Sequence, residues 1–157
     1  MRICYIVAMV AEAQPFIERY GIRKVEGFFA PLPCELYEGE VNNVTLNVVL
    51  NGQQQGSDLV GCEAAAVATL SAIQRLHPDI VVNSGTCGAF REKGADIAEV
   101  YIGNGVMFHD RRVPGDDAWG TQSLGNYPVW EGSPALAKAL ELKMGKVTTG
   151  SSLDMQP

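Results

Sequence analysis

An α/β fold with a largely parallel sheet flanked by helices is predicted from three features of the 157-residue chain. Strand-like and helix-like segments alternate along it. Two short apolar runs, Ile3–Met9 and Asp79–Asn83, have the composition of strands buried on both faces. An alanine-rich stretch, Glu63–Leu76, sits between them as a helix. Apolar residues make up 46% and charged residues 19%, so the chain can close a hydrophobic core.

Ile3 to Met9 is β-branched and apolar and reads as the opening strand. Ala11 to Tyr20 places Ala13, Phe16, Ile17 and Tyr20 on one helical face, with Gly21 positioned as a C-cap. Leu36–Val41 and Val44–Leu50 form a strand pair joined by a tight turn at Asn42-Asn43. Asn51-Gly52 breaks the second of them. Ser57 or Asp58 is the expected cap of the long helix, which ends at His77-Pro78. Asp79–Asn83 then reads as a central parallel strand running into the small-residue turn Ser84–Ala89. Ile97–Val106 is a further strand, with a bulge expected at Gly103 and Gly105. Arg111–Trp130 reads as a long loop. Pro134–Lys143 reads as a helix capped by Ser133, and Lys146–Thr149 as the start of a last strand. No linker or repeat interrupts the chain, so residues 1–157 are expected to form one domain.

The net charge of −6 opposes binding to a phosphate backbone, and the basic pairs Arg23-Lys24 and Arg111-Arg112 make no stripe. No stretch approaches the roughly 20 apolar residues of a membrane helix. Cys4, Cys34, Cys62 and Cys87 form no CxxC pair and follow no secretory signal. They read as reduced thiols of a cytoplasmic protein. His77 and His109 fall into no metal-ligand spacing, and neither a metal nor a cofactor is expected.

Ligands of open α/β sheets collect at the carboxyl ends of strands. Glu12 follows the first strand, and on the residue alone it reads as a first-turn acid complementing the helix dipole. Gly85-Thr86-Cys87-Gly88 can lay backbone N–H groups against a ligand, although it is neither GxGxxG nor a phosphate cradle. Cys87 could be a nucleophile; with no histidine near it in sequence, it reads instead as a small packing residue. His109 and Asp110 could be an acid/base pair, but adjacent strand residues face opposite ways, which favours a surface charge cluster.

Taken together, Ile6–Met9 with Glu12, the run Pro78–Gly88, Phe108–Pro114 and Thr149–Met155 resemble the nucleoside phosphorylase superfamily. The resemblance is nearest to its plant-type 5′-methylthioadenosine nucleosidases. It implies a three-layer fold around a parallel or mixed sheet, a homodimer, and hydrolysis that releases adenine from a purine nucleoside. By that resemblance Glu12 activates water, Thr86, Cys87 and Gly88 flank ribose and base, and Gly52 and Gln53 lie near the ribose. Phe108 and His109 would reach the partner subunit's 5′-pocket, and Leu153 would pack on the purine. Phosphorylases of the superfamily carry an arginine where Asn83 stands, which favours water over phosphate. The family's leaving-group acid and ribose-binding Met-Glu segment come later than Pro157. The chain is therefore expected to lack the C-terminal part of the fold and to be inactive alone. The alternatives are a nucleoside phosphorylase and a non-catalytic nucleoside-binding protein.

Overall fold

The structure is a computed structural model describing residues 1–110 and 125–152. The expected site residue Leu153 and most of the expected loop, 111–124, lie outside the described residues. Two compact units divide at Cys87 and Gly88.

The first unit is built on a five-stranded sheet. Its elements are β1 (Arg2–Val7), α1 (Val10–Tyr20), β2 (Arg23–Val25), β3 (Glu35–Val41), β4 (Val44–Leu50), β5 (Gln53–Gln54), β6 (Ser57–Asp58), α2 (Cys62–Leu76) and β7 (Ile80–Asn83). The sheet order is β2-β3-β4-β1-β7, while β5 and β6 make a small separate hairpin. β1 lies parallel to both β4 and β7, and β3 and β4 form an antiparallel hairpin. Its turn residues Asn42 and Asn43 both take positive φ, 50° and 63°. That suits a two-residue hairpin turn, and asparagine tolerates it better than most residues.

Alternation along β1 sends side chains to two cores. Cys4 and Ile6 join Leu36, Val49 and the α2 residues Ala68, Ala72 and Leu76. Val7 joins Leu46, Val48, Leu50 and Ala13 of α1 on the other face. The sheet is thus covered on both sides, the three-layer arrangement expected. Ala68, Ala72 and Leu76 recur every four residues on one helix face, and the small alanines let α2 approach the sheet closely.

Several expectations need correction. β7 is an edge of the described sheet, with Val81 exposed, and β1 is the interior strand that lies parallel to both its neighbours. α2 is not capped by Ser57 or Asp58, which lie in β6; Gly61 precedes its first turn instead. β2 leaves little apolar signal in the sequence, since two of its three residues are basic and exposed; charge is common on a short edge strand. Gly21 does end α1 in the left-handed region, with the amide of Ile22 returning to the carbonyl of Ile17. His77 also ends α2 in the left-handed region, its own amide donating to the carbonyl of Ile73.

The second unit contains β8 (Tyr101–Phe108), α3 (Ser133–Ala139) and β9 (Lys143–Thr149). β8 and β9 pair in parallel, and the register shifts between Gly103 and Gly105, where the bulge was expected. α3 is shorter than expected and begins at Ser133, so the serine is its first residue rather than its cap. Glu141, in the left-handed region, follows it, and β9 starts at Lys143 instead of Lys146. Ile97 lies outside β8 and is exposed. No helix among the described residues is long and apolar enough to cross a membrane.

Candidate functional site

The carboxyl ends of the adjacent parallel strands β1 and β7 meet at Glu12. Met9 starts α1 in an extended conformation, which puts Glu12 in the helix's first turn. One oxygen, Oε2, accepts the backbone N–H of Met9 at 3.2 Å, so the first-turn role read from sequence is physically present. The other, Oε1, accepts from both the backbone N–H and the hydroxyl of Thr86, each at 2.7 Å. Three donors therefore converge on one carboxylate, from residues 74 apart in sequence for the Thr86 pair. Gly85 eases the approach: a Cβ there would lie 3.3 Å from Oε1, close enough that the carboxylate would have to give by a few tenths of an ångström. Beneath the carboxylate a cavity of about 50 Å³ is lined by Tyr5, Val7, Ala13, Phe16, Val48 and Ser84 as well as Glu12. It is large enough for a water molecule and has polar groups to hold one.

Gln53 is tied to the same helix start through Asp58. Gln53 donates through Nε2 to Asp58 Oδ1 at 2.8 Å, and Asp58 Oδ2 accepts the N–H of Val10 at 3.3 Å. Asp58 thus serves the first turn of α1, not that of α2. Only the fold brings it there, 48 residues from its partner. Gly52 has φ +95°, and a Cβ on it would lie 2.0 Å from the Pro33 carbonyl oxygen, so no other residue fits. Asn83, at the position that separates hydrolase from phosphorylase patterns, donates to the Ile6 carbonyl at 3.3 Å.

Cys87 is exposed, which overturns its reading as a packing residue: the turn runs outward past the end of β7. Gly88 is exposed as well and has open space where a Cβ would stand.

In the second unit Phe108 packs edge-on against Tyr127, ring centroids 6.5 Å apart, beside Gly125. His109 and Asp110 follow β8, beyond strict alternation, and both turn toward Gly150 after β9. A Cβ on Gly150 would stand 2.7 Å from His109 Nε2 and 2.6 Å from Asp110 Oδ2. The opposite-face argument from sequence fails because the strand has already ended at Phe108. Among the described residues no group of three or more His, Cys, Asp or Glu could hold a metal ion.

Helices on both faces of a mixed sheet, with a carboxylate held at the carboxyl ends of its parallel strands, define an α/β fold of the doubly covered kind. The family model described as "Phosphorylase superfamily" matches residues 2–152, and the chain belongs to that superfamily. It is 39% identical over 163 aligned residues to the Arabidopsis thaliana 5′-methylthioadenosine/S-adenosylhomocysteine nucleosidase, covering 99% of this chain and 62% of the relative. A second Arabidopsis thaliana protein, 5′-methylthioadenosine nucleosidase, is 38% identical, with 98% and 58% covered. The solved apo structure of Arabidopsis thaliana 5′-methylthioadenosine nucleosidase superposes with a TM-score of 0.91 at 38% identity, covering 99% of this chain and 64% of that one. The chain spans about three-fifths of the length of these relatives.

Proposed function

We propose that these residues form part of a purine nucleoside N-ribosyl hydrolase that releases adenine from 5′-methylthioadenosine or S-adenosylhomocysteine. The observation carrying this reading is the Glu12 carboxylate, fixed by Thr86 and Met9 where two parallel strands end. In the reaction water attacks the anomeric carbon, the bond from that carbon to the purine nitrogen breaks, and Glu12 takes the proton released by water. The departing base needs a proton of its own. The reading assigns that acid to the portion of the relatives beyond this match. Thr86, Cys87 and Gly88 flank the sugar and base, Gly52 and Gln53 lie near the ribose, and Leu153 packs on the purine.

The names of the two relatives and the side-chain amide at Asn83, in place of a phosphate-holding guanidinium, support hydrolysis. In this reading residues 1–157 belong to a single cytoplasmic domain. Two copies pair, with Phe108 and His109 directed at the partner's pocket. Val67, Leu70 and Ile73, exposed along α2, supply apolar surface for association.

The test is adenine release from methylthioadenosine by the protein isolated from its source, with and without phosphate. Release independent of phosphate supports the reading; release that requires phosphate replaces it with a phosphorylase. Absence of both release and adenine binding leaves a different protein on the same fold. Sedimentation of that preparation, with its intact mass, tests the pairing.

A further inference from the structure

We infer that Asp58 is a positioning residue for the Glu12 carboxylate: it fixes the head of the helix that carries Glu12 and ties it to Gln53. Glu12 and Asp58 hold successive backbone amides at the start of α1. Oε2 of Glu12 accepts the N–H of Met9 at 3.2 Å, and Oδ2 of Asp58 accepts the N–H of Val10 at 3.3 Å. Met9 has no carboxylate or hydroxyl with which to cap the helix, so the second acid comes from a residue 48 positions away. Both carboxylates stand at the positive end of the helix dipole. The other oxygen of Asp58, Oδ1, accepts Gln53 Nε2 at 2.8 Å.

The hairpin that presents Asp58 is itself anchored. Gln53 and Asp58 are direct partners across the β5–β6 pair, and the turn residues Gln55 and Gly56 take positive φ, 52° and 79°, as a tight two-residue turn requires. At its base the Leu59 N–H donates to the Gly52 carbonyl at 2.8 Å. The buried Asn51 donates through Nδ2 to the Leu59 carbonyl at 2.9 Å. Asp58 therefore links the end of β4 to the first turn of α1. Glu12 is two residues beyond Val10, and its Oε1 meets both Thr86 donors at 2.7 Å only while that turn keeps its place. The inference rests on the proposed nucleosidase reading, in which Glu12 takes a proton from water. Asp58 touches no substrate in this scheme. A shift of about 1 Å in a reacting group can cost as much as about 10²-fold in rate.

The experiment compares the parent protein with Asp58→Ala, Asp58→Asn and Gln53→Ala. It measures hydrogen exchange at the Thr86 amide, together with kcat and KM for adenine release from methylthioadenosine. Asp58→Ala should speed exchange at Thr86, an amide that Asp58 does not touch, because Glu12 no longer holds it in place. The same variant should lose about tenfold in kcat, with KM within about threefold of the parent. Asp58→Asn keeps a carbonyl oxygen for the Val10 N–H, and the Gln53 amide can turn over to accept from the new NH₂ group. It should restore both Thr86 protection and kcat to within about twofold of the parent. Thr86 protection and kcat unchanged in Asp58→Ala, even with a lowered melting temperature, would make Asp58 a structural cap and overturn the inference. An asparagine variant no better than alanine overturns it as well. If Asp58→Ala does not fold, Gln53→Ala decides: it frees Oδ1 of Asp58, and parent-like Thr86 exchange and kcat in that variant overturn the inference. A parent that releases no adenine overturns the functional reading instead, while the Thr86 exchange comparison still tests the link from Asp58 to Glu12.

Discussion

Thr86 meets Glu12 twice through the same oxygen, its backbone N–H and its hydroxyl each 2.7 Å from Oε1. The two contacts have different consequences under mutation. Thr86→Val removes the hydroxyl and leaves the N–H, a loss of one hydrogen bond to a charged group, about 1.5–3 kcal/mol before solvent screening. Thr86 is exposed, so the lower end applies, and kcat/KM for adenine release should fall about tenfold. Thr86→Ser keeps both contacts and should stay near the parent. Equal activity in the valine variant would remove the hydroxyl from the site.

Glu12→Gln separates the two roles of the carboxylate. The amide can still accept from one side, so the first turn of α1 should survive with a stability change of about 1 kcal/mol or less. It cannot take a proton from water, and kcat should fall by about 10² to 10⁴ while adenine affinity changes little. Steady-state kinetics beside calorimetry reads both quantities. A large loss of binding with unchanged kcat would make Glu12 a structural cap only.

The halves of this arrangement were unequally visible in the sequence. The strand preceding Glu12 and the small-residue turn after β7 could be read from apolar runs and glycines, because burial and backbone freedom leave marks on local composition. The contact between them could not, since it depends on β1 and β7 being neighbours in a sheet. Asp58 was legible as a helix-capping residue but was assigned to the helix next in sequence. It serves α1 instead, because the β5–β6 hairpin folds back toward Val10. Cys87 was misread because sequence says nothing about whether a turn faces inward.

Two glycines of left-handed φ make a matched pair for stability. Gly52 (φ +95°) would place a Cβ 2.0 Å from the Pro33 carbonyl oxygen, whereas Gly56 (φ +79°) has open space around it. Gly56→Ala should therefore cost only backbone strain, about 1 kcal/mol. Gly52→Ala adds a clash with backbone atoms and should cost about 3 kcal/mol or more. For a chain of this size that is a melting-temperature loss of about 6–12 °C. Similar melting curves for both variants would contradict the close packing of Pro33 over Gly52.

Glu99 gives a pH signature for the second unit. Its carboxyl is held down to about 2, from the usual 4.5, first by the hydrogen bond from Lys143 and then by the Tyr101 hydroxyl and the Asp96 amide. A folded-state value below the unfolded one means that this stabilisation is present above the unfolded pKa. It is lost as pH falls from there through about 2. Glu99→Gln should thus be less stable than the parent near neutrality, with the gap closing as the solution is acidified through that window. The group faces solvent, so the gap should also shrink with added salt. Denaturant melts of both proteins across the acidic range measure it, and a gap that widens toward low pH would refute the assignment.

The four cysteines should react in an order set by burial. Cys4 is fully buried and its pKa is pushed up to about 11, chiefly by desolvation, so it offers almost no thiolate at neutral pH. Cys34 is buried, and burial raises its pKa as well. Cys62 is partly buried and Cys87 is exposed. Alkylation of the native protein at about pH 8, followed by peptide mass mapping, should mark Cys87 first and Cys62 more slowly. Cys4 and Cys34 should react only with unfolding, which makes them reporters of global opening. Because Cys87 adjoins the Thr86 contact, adenine at saturating concentration should slow its labelling and leave Cys62 unaffected. Labelling of Cys87 indifferent to a bound purine would move the ligand away from this turn and leave the Glu12–Thr86 pair without a substrate to act on.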